Sequence, residues 1–195
     1  MAARYQSREI EALTLIPYKQ LRPKLKSGDL FFTSSDYLIS QLIQKFTESP
    51  WSHVGIVFRV DAIDRVLLLE SVEDVGVRFA PLSKYLADYA DGKPYDGRAV
   101  IARCKGVNRK AVEDIAAFGT DQLTRTYDRE EIANIAARIA LGKPRPKRDN
   151  AYICSELVYE CFAKAGMAFV YDERGFISPE NIWRDARVTL VGRIL

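Results

Sequence analysis

The residues best suited to chemistry are the single histidine, His53, and the cysteine Cys154, about a hundred positions later. A thiol becomes a good nucleophile when it is held as thiolate beside an imidazole and at the positive end of a helix. Apolar residues at helical spacing predict a helix from about Ile153 to Ala165, with Asp149 or Asn150 before it as candidate caps. Cys154 therefore falls in the first turn, where unpaired amides favour a thiolate and can stabilise an oxyanion.

A predicted β-hairpin supplies the groups that would act on this sulfur. His53 opens a strand to Val60, a second strand follows from Arg65 to Ser71, and two aspartates suit the turn between them. Because strand side chains alternate, Glu70 lies opposite either His53 or Gly55 and shares the histidine's face in both registers. We expect Glu70 to orient the imidazole, while a structural histidine and a solvent-facing glutamate are the alternatives.

Four further residues are weaker candidates for the same pocket. Tyr152 can donate a hydrogen bond near an oxyanion, and Ser155 lies beside the nucleophile in the first turn. Trp51 can wall the pocket, and Asp29 can contribute to it. For each of them, packing or turn formation is the competing explanation.

The remaining pattern mixes helices and strands without strict alternation, which favours an α+β fold. Residues 1–26 are interpreted as an N-terminal arm and residues 27–195 as one domain. Further strands are predicted to begin near Asp29 and to span residues 75–79, 100–102 and 188–191. Further helices are predicted after Ser35 or Asp36, over 82–90, from Asn108 to near Gly119, from a capping box at Asp128 and Glu131 to Gly142, and from Ser178-Pro179.

Composition excludes several classes of function. The net charge of +3 is spread over 29 basic and 26 acidic residues, so nucleic acid is not an expected partner. No run approaches the ~18 apolar residues of a membrane span, and the start lacks the apolar core of a secretion signal, so we expect a cytoplasmic protein. Three cysteines without framework spacing favour free thiols, with Cys104 and Cys161 in packing roles. We expect no metal site and no cofactor.

Several short motifs together resemble a known family: Gly28-Asp29-Leu30, the segment Ser52 to Ile56, the glutamate closing the next strand, Tyr152 with Cys154 to Val158, and Ser178-Pro179. They are similar to the circularly permuted papain-like cysteine hydrolases of the NlpC superfamily, most closely the YiiX-like group. The resemblance covers about residues 27 to 185. It implies a permuted papain-like fold with a central antiparallel sheet of about five or six strands packed with helices. It also implies Cys154 as nucleophile, His53 as base and Glu70 as orienter.

The sequence is compatible with three functions. The first is a cysteine-dependent amidase or peptidase that acts on a small peptide or a cell-wall-type peptide amide through an acyl-enzyme. The second is a lipid acyltransferase or thioesterase of the lecithin-retinol acyltransferase type; the basic loop 143–148 leaves membrane contact open without favouring it. The third is a module that binds a peptide or amino acid without cleaving it. The substrate and the oligomeric state stay open.

Overall fold

An antiparallel sheet of six strands organises the part of the protein that the structure describes. The computed structural model describes residues 7–34, 49–127, 152–171 and 177–195. The strands are β1 (Asp29–Ser34), β2 (His53–Val60), β3 (Arg65–Val72), β4 (Gly76–Pro81), β5 (Arg98–Cys104) and β6 (Val188–Arg193). Across the sheet they lie in the order β4-β3-β2-β1-β5-β6. The structure thus confirms the predicted α+β class and the antiparallel sheet.

Helices in the described ranges are mostly short and flank the sheet. They are α1 (Ser7–Glu11), α2 (Tyr18–Leu21), α3 (Leu82–Ala87), α4 (Arg109–Asp121), α5 (Cys154–Lys164) and α6 (Pro179–Trp183). Two of the predicted caps are confirmed, because the side chain of Asn108 accepts from the amide of Ala111 and that of Ser178 accepts from the amide of Asn181. Within these ranges, no helix has the length and apolar character needed to cross a membrane.

The hairpin of β2 and β3 forms as its alternating pattern predicts. A short 3₁₀ turn over Asp61–Ile63 joins the strands, and Asp64 adopts a left-handed conformation with φ of 52°. The strands pair with Val57 opposite Leu68. Because successive side chains point to opposite faces, each strand contributes to two cores, one on either side of the sheet.

The two cores hold different helices. Val54 and Ile56 pack in the core that contains Leu157 and Phe162 of α5. Val57 packs in the opposite core, which contains Tyr85 of α3. The segment before β1 joins both cores: Ile10 belongs to the first, and Leu21 and Leu25 belong to the second.

Some predicted elements differ in length or lie outside the described residues. The helix expected over 82–90 ends at Ala87, because the chain turns at Gly92 and Ala90 forms an isolated bridge with Lys93. The strand expected over 75–79 runs instead from Gly76 to Pro81. The helix predicted after Ser35 or Asp36, the helix with the capping box at Asp128, the basic loop 143–148 and the caps Asp149 and Asn150 lie outside the described residues.

Candidate active site

His53 and Glu70 are joined by a hydrogen bond across the hairpin. The Nε2 atom of His53 lies 3.0 Å from Oε2 of Glu70. The observed pairing of β2 with β3, continued by one step, sets Glu70 opposite Gly55 and diagonal to the histidine. A Cβ added at Gly55 would lie 3.4 Å from Cβ of Glu70 and 3.1 Å from the Leu69 carbonyl oxygen. A side chain at position 55 would therefore crowd the Leu69 carbonyl and touch the glutamate.

Glu70 is completely buried, and both of its carboxylate oxygens accept hydrogen bonds. Oε2 accepts from His53 and also from the hydroxyl of Tyr85, at 2.6 Å. Oε1 accepts from Nε of Arg78 at 3.0 Å and forms an ion pair with the same guanidinium. A buried carboxylate is costly unless it is paired and hydrogen-bonded, and here both conditions are met.

These contacts set the charges of the pair. Burial alone would raise the pKa of Glu70, but the hydrogen bond and charge of His53, together with Tyr85 and Arg78, lower it below its ordinary value. Burial likewise acts to lower the pKa of His53. Hydrogen bonds and charges from Cys154 and Glu70 outweigh burial and raise the pKa of His53 from 6.5 to about 10. At neutral pH the carboxylate is thus ionised and the imidazole protonated.

Cys154 is the first residue of α5 and lies close enough to His53 to raise the pKa of the imidazole. Since Nε2 of the ring contacts Glu70, Nδ1 is the nitrogen left for the sulfur. The N-cap residue Ile153 makes no side-chain cap hydrogen bond to the first turn. The helix start and the imidazolium therefore both present positive charge to Sγ.

The other two cysteines have different surroundings. Burial raises the pKa of Cys104 to about 11, and burial together with the charge of Glu160 raises the pKa of Cys161 further still. A thiol with a raised pKa is a poor nucleophile near neutral pH. These positions fit the packing roles expected for them.

Two of the weaker candidates, Tyr152 and Ser155, donate their hydroxyl groups to other parts of the protein. The hydroxyl of Tyr152 donates to Glu160 at 2.8 Å, so its single proton is directed to α5 rather than to an oxyanion. The hydroxyl of Ser155 donates to the carbonyl of Ile177 at 2.8 Å, which ties the first turn of α5 to the chain before α6.

The other two weaker candidates, Trp51 and Asp29, are held by contacts of their own. Trp51 is fully buried, and its ring packs against Phe32 and Trp183 with centroids 5.7 and 5.1 Å away. Asp29 forms an ion pair with Arg103 at the far end of β1, four positions from the residue that pairs with His53. That separation corresponds to about 13 Å along a strand, so the structure does not bring Asp29 to the site.

Sequence reasoning missed Arg78 and Tyr85. Arg78 lies directly opposite Glu70 in the pairing of β3 with β4, so a register for that pair would have revealed it. Tyr85 comes from α3, which packs against β3 in the second core, and no sequence spacing links it to the glutamate. The complete arrangement is a chain of neighbouring side chains in which acidic and basic groups alternate: Cys154, His53, Glu70 and Arg78. Such a chain suits a thiol that attacks a carbonyl.

Comparisons with known proteins agree with this chemistry. Residues 24–181 match the family described as permuted papain-like amidase enzymes, YaeF/YiiX, C92 family. The chain is 27% identical over 179 residues to the "Probable lipoprotein peptidase YaeF" of Escherichia coli strain K12. This match covers 82% of the chain but only 63% of that relative's length.

A solved structure shares the fold. It is titled the crystal structure of metalloprotein YiiX from Escherichia coli O157:H7, and it superimposes with a TM-score of 0.64 at 19% identity, covering 86% of this chain and 97% of that one. In the part of this chain that the structure describes, no cluster of three or more His, Cys, Asp or Glu side chains is arranged to hold a metal ion. On the strength of the family match over most of its length, the chain belongs to the permuted papain-like amidases of the YaeF/YiiX type.

Proposed function

We propose that the protein hydrolyses amide bonds through an acyl-enzyme on Cys154. One observation carries this proposal: His53 is hydrogen-bonded to a buried, ionised Glu70 and lies beside the thiol at a helix start. The same three residue types act together in nucleophilic catalysis, where the third group orients the base. Membership of an amidase family supports the class of reaction.

The raised pKa of His53 defines the resting state of the proposed site. With a pKa of about 10, the imidazole already carries the proton that an unactivated thiol would have to give up. An imidazolium next to sulfur stabilises a thiolate, and the first turn of α5 adds to that effect. The proposed reaction therefore starts from a protonated His53.

The reaction then proceeds in two balanced steps. The Cys154 thiolate forms a bond to the carbonyl carbon, the carbonyl π electrons move to oxygen, and their return expels the amine, which takes the proton from His53. Neutral His53 next removes a proton from water, the hydroxide attacks the thioester, and the thiolate leaves as the acid departs. Amides in the first turn of α5 can stabilise the oxyanion in both steps.

The proposed substrate is an amide in a small peptide or a cell-wall-type peptide. The resemblance of the motifs and the family description as amidases support this class. The YaeF relative is named a lipoprotein peptidase, which agrees with a peptide bond as the target. The cytoplasmic location expected from the sequence stays a prediction.

The test is turnover of a panel of peptide amides, including cell-wall-type peptides, by the wild type, Cys154→Ala and Cys104→Ala. We expect hydrolysis and a covalent acyl adduct on Cys154 in the wild type and in Cys104→Ala, and neither in Cys154→Ala. Hydrolysis that survives Cys154→Ala would reject the proposal. A fatty acyl chain transferred from phospholipid to Cys154, without peptide hydrolysis, would instead support the acyltransferase alternative.

A further inference from the structure

Ser71, the residue after Glu70, contacts the chain that leads into the nucleophile. Its hydroxyl donates to the backbone carbonyl of Tyr152 at 2.7 Å, and the Ser71 side chain is fully buried. Neighbouring residues on a strand point to opposite faces, so Glu70 and Ser71 act on different sides of β3. One side holds the base, and the other holds the segment two residues before Cys154.

This contact is part of a closed ring of hydrogen-bonded segments. Ser71 pairs with Val77 across β3 and β4. The amide of Val77 donates to the Arg125 carbonyl at 2.8 Å, and the amide of Tyr152 donates to the Thr126 carbonyl at 3.1 Å. The hydroxyl of Ser71 then closes the ring at Tyr152. Both the amide and the carbonyl of Tyr152 are therefore fixed.

The chain leaves this anchored residue by a short, defined path to the sulfur. Ile153 is extended, with φ of −79° and ψ of 159°, and its carbonyl accepts from the amide of Leu157 at 3.2 Å. Helix α5 begins at the next residue. The orientation of the Tyr152 peptide plane thus sets where Cys154 enters the helix, because only Ile153 lies between them.

We propose that Ser71 is a positioning residue for the nucleophile, so that the dipeptide Glu70-Ser71 sets the separation between base and sulfur. This inference rests on the proposed function of Cys154. Glu70 acts on His53, and Ser71 acts on Cys154 through the Tyr152 carbonyl. A purely structural serine would only satisfy that buried carbonyl, and its loss would lower stability without a specific effect on the thiol.

The experiment measures the alkylation of Cys154 by iodoacetamide, located by peptide mass spectrometry, in the wild type, Ser71→Ala and Asn108→Ala. Asn108→Ala removes the cap of α4, a single side chain-to-backbone hydrogen bond away from the site, and so serves as a matched control for stability. Ser71→Ala should slow alkylation by about 10-fold because a displaced sulfur loses contact with the imidazolium that stabilises its thiolate. Asn108→Ala should react at the wild-type rate.

A second readout reports the contact between His53 and Cys154. The chain has one histidine, so its NMR titration reports His53 alone. Ser71→Ala should lower that titration midpoint, because Cys154 raises the pKa of His53 and a displaced sulfur loses this contact, whereas Asn108→Ala should leave it unchanged. Ser71→Thr retains the hydroxyl on a residue that suits strands and should react close to the wild-type rate.

Three results would overturn the proposal: Ser71→Ala reacting as fast as the wild type, Asn108→Ala slowing as much as Ser71→Ala, or Ser71→Thr reacting as slowly as Ser71→Ala while folded by circular dichroism. Alkylation needs no substrate. If the wild type hydrolyses none of the peptide amides, the proposed function fails, whereas the alkylation rates still decide the role of Ser71.

Discussion

Glu70 contacts most of the charged groups of the candidate site. It accepts from His53 and Tyr85 on one oxygen and from Arg78 on the other. A buried carboxylate with three donors is held in one orientation, and Cys154 and this carboxylate together raise the pKa of the imidazole. The protonation state of His53 is therefore a property of this network rather than of the histidine alone.

Glu70→Gln should lower the NMR titration midpoint of His53 from about 10 toward its ordinary value of 6.5, because the variant removes the carboxylate charge next to the ring. Turnover of a peptide amide should fall on the order of 100-fold, as expected when a group that orients a base is lost. Glu113→Gln, at an exposed position on α4, is the control and should titrate as the wild type. An unchanged midpoint in Glu70→Gln would contradict the assignment.

Tyr85→Phe should lower the free energy of unfolding by about 1.5–3 kcal/mol, since the variant deletes a hydrogen bond to an ionised group and leaves the rest of the ring in place. The Tyr85 side chain is almost fully buried, so water cannot replace the lost donor. Urea denaturation measures the change. Tyr159→Phe, at a half-buried position where the ring contact with Tyr171 is kept, should lose less stability; equal losses would argue against a specific bond to Glu70.

The turn between β3 and β4 controls how closely the segment after α4 approaches the sheet. Gly76 has φ of 78°, and a Cβ there would lie 2.0 Å from the Arg125 carbonyl oxygen. That carbonyl belongs to the ring that anchors Tyr152 ahead of Cys154. Only glycine fits both the left-handed backbone and the close approach.

Gly76→Ala and Gly92→Ala form a matched pair, because both glycines have positive φ but a Cβ at Gly92 would meet nothing within 4 Å. Each variant should incur the left-handed strain of about 1–2 kcal/mol. Gly76→Ala should lose more stability and also alkylate Cys154 more slowly, as its Cβ displaces the Arg125 carbonyl. Chemical denaturation and iodoacetamide labelling measure the two effects. Similar behaviour of the two variants would mean that the close approach has no consequence for the site.

The sheet brings together side chains from separate parts of the chain. His53 comes from β2, Glu70 from β3, Arg78 from β4 and Cys154 from α5. The stability of the fold and the charge state of the site are consequently linked, because folding creates the contacts that shift the pKa of Glu70.

The pKa of Glu70 is lowered in the folded protein, so its ionised form adds stability above its ordinary value of 4.5, and that stability is lost as the pH falls through the lower folded value. We expect the difference in unfolding free energy between the wild type and Glu70→Gln to be steady between about pH 5 and 6, below the range in which His53 titrates, and to shrink below about pH 4.5. Urea denaturation over a series of pH values measures it. A difference that stays constant in acid would contradict the lowered pKa.

Local patterns in the sequence determined the faces and starts of the main elements. The alternating pattern of two short strands predicted that His53, Gly55 and Glu70 share a face, and helical spacing placed Cys154 in a first turn. Both predictions follow from periodicity, which depends only on neighbouring residues. The diagonal register was one of two that the pattern allowed, and only the paired strands selected it.

Tertiary structure alone decided which distant groups complete the site. Tyr85 reaches Glu70 because α3 packs on β3, and Ser71 meets Tyr152 although 81 positions separate them. The same packing buries Ile10, Leu21 and Leu25 from the segment interpreted as an arm. Such contacts depend on how several elements fill one core together, and no local period of the chain encodes that choice.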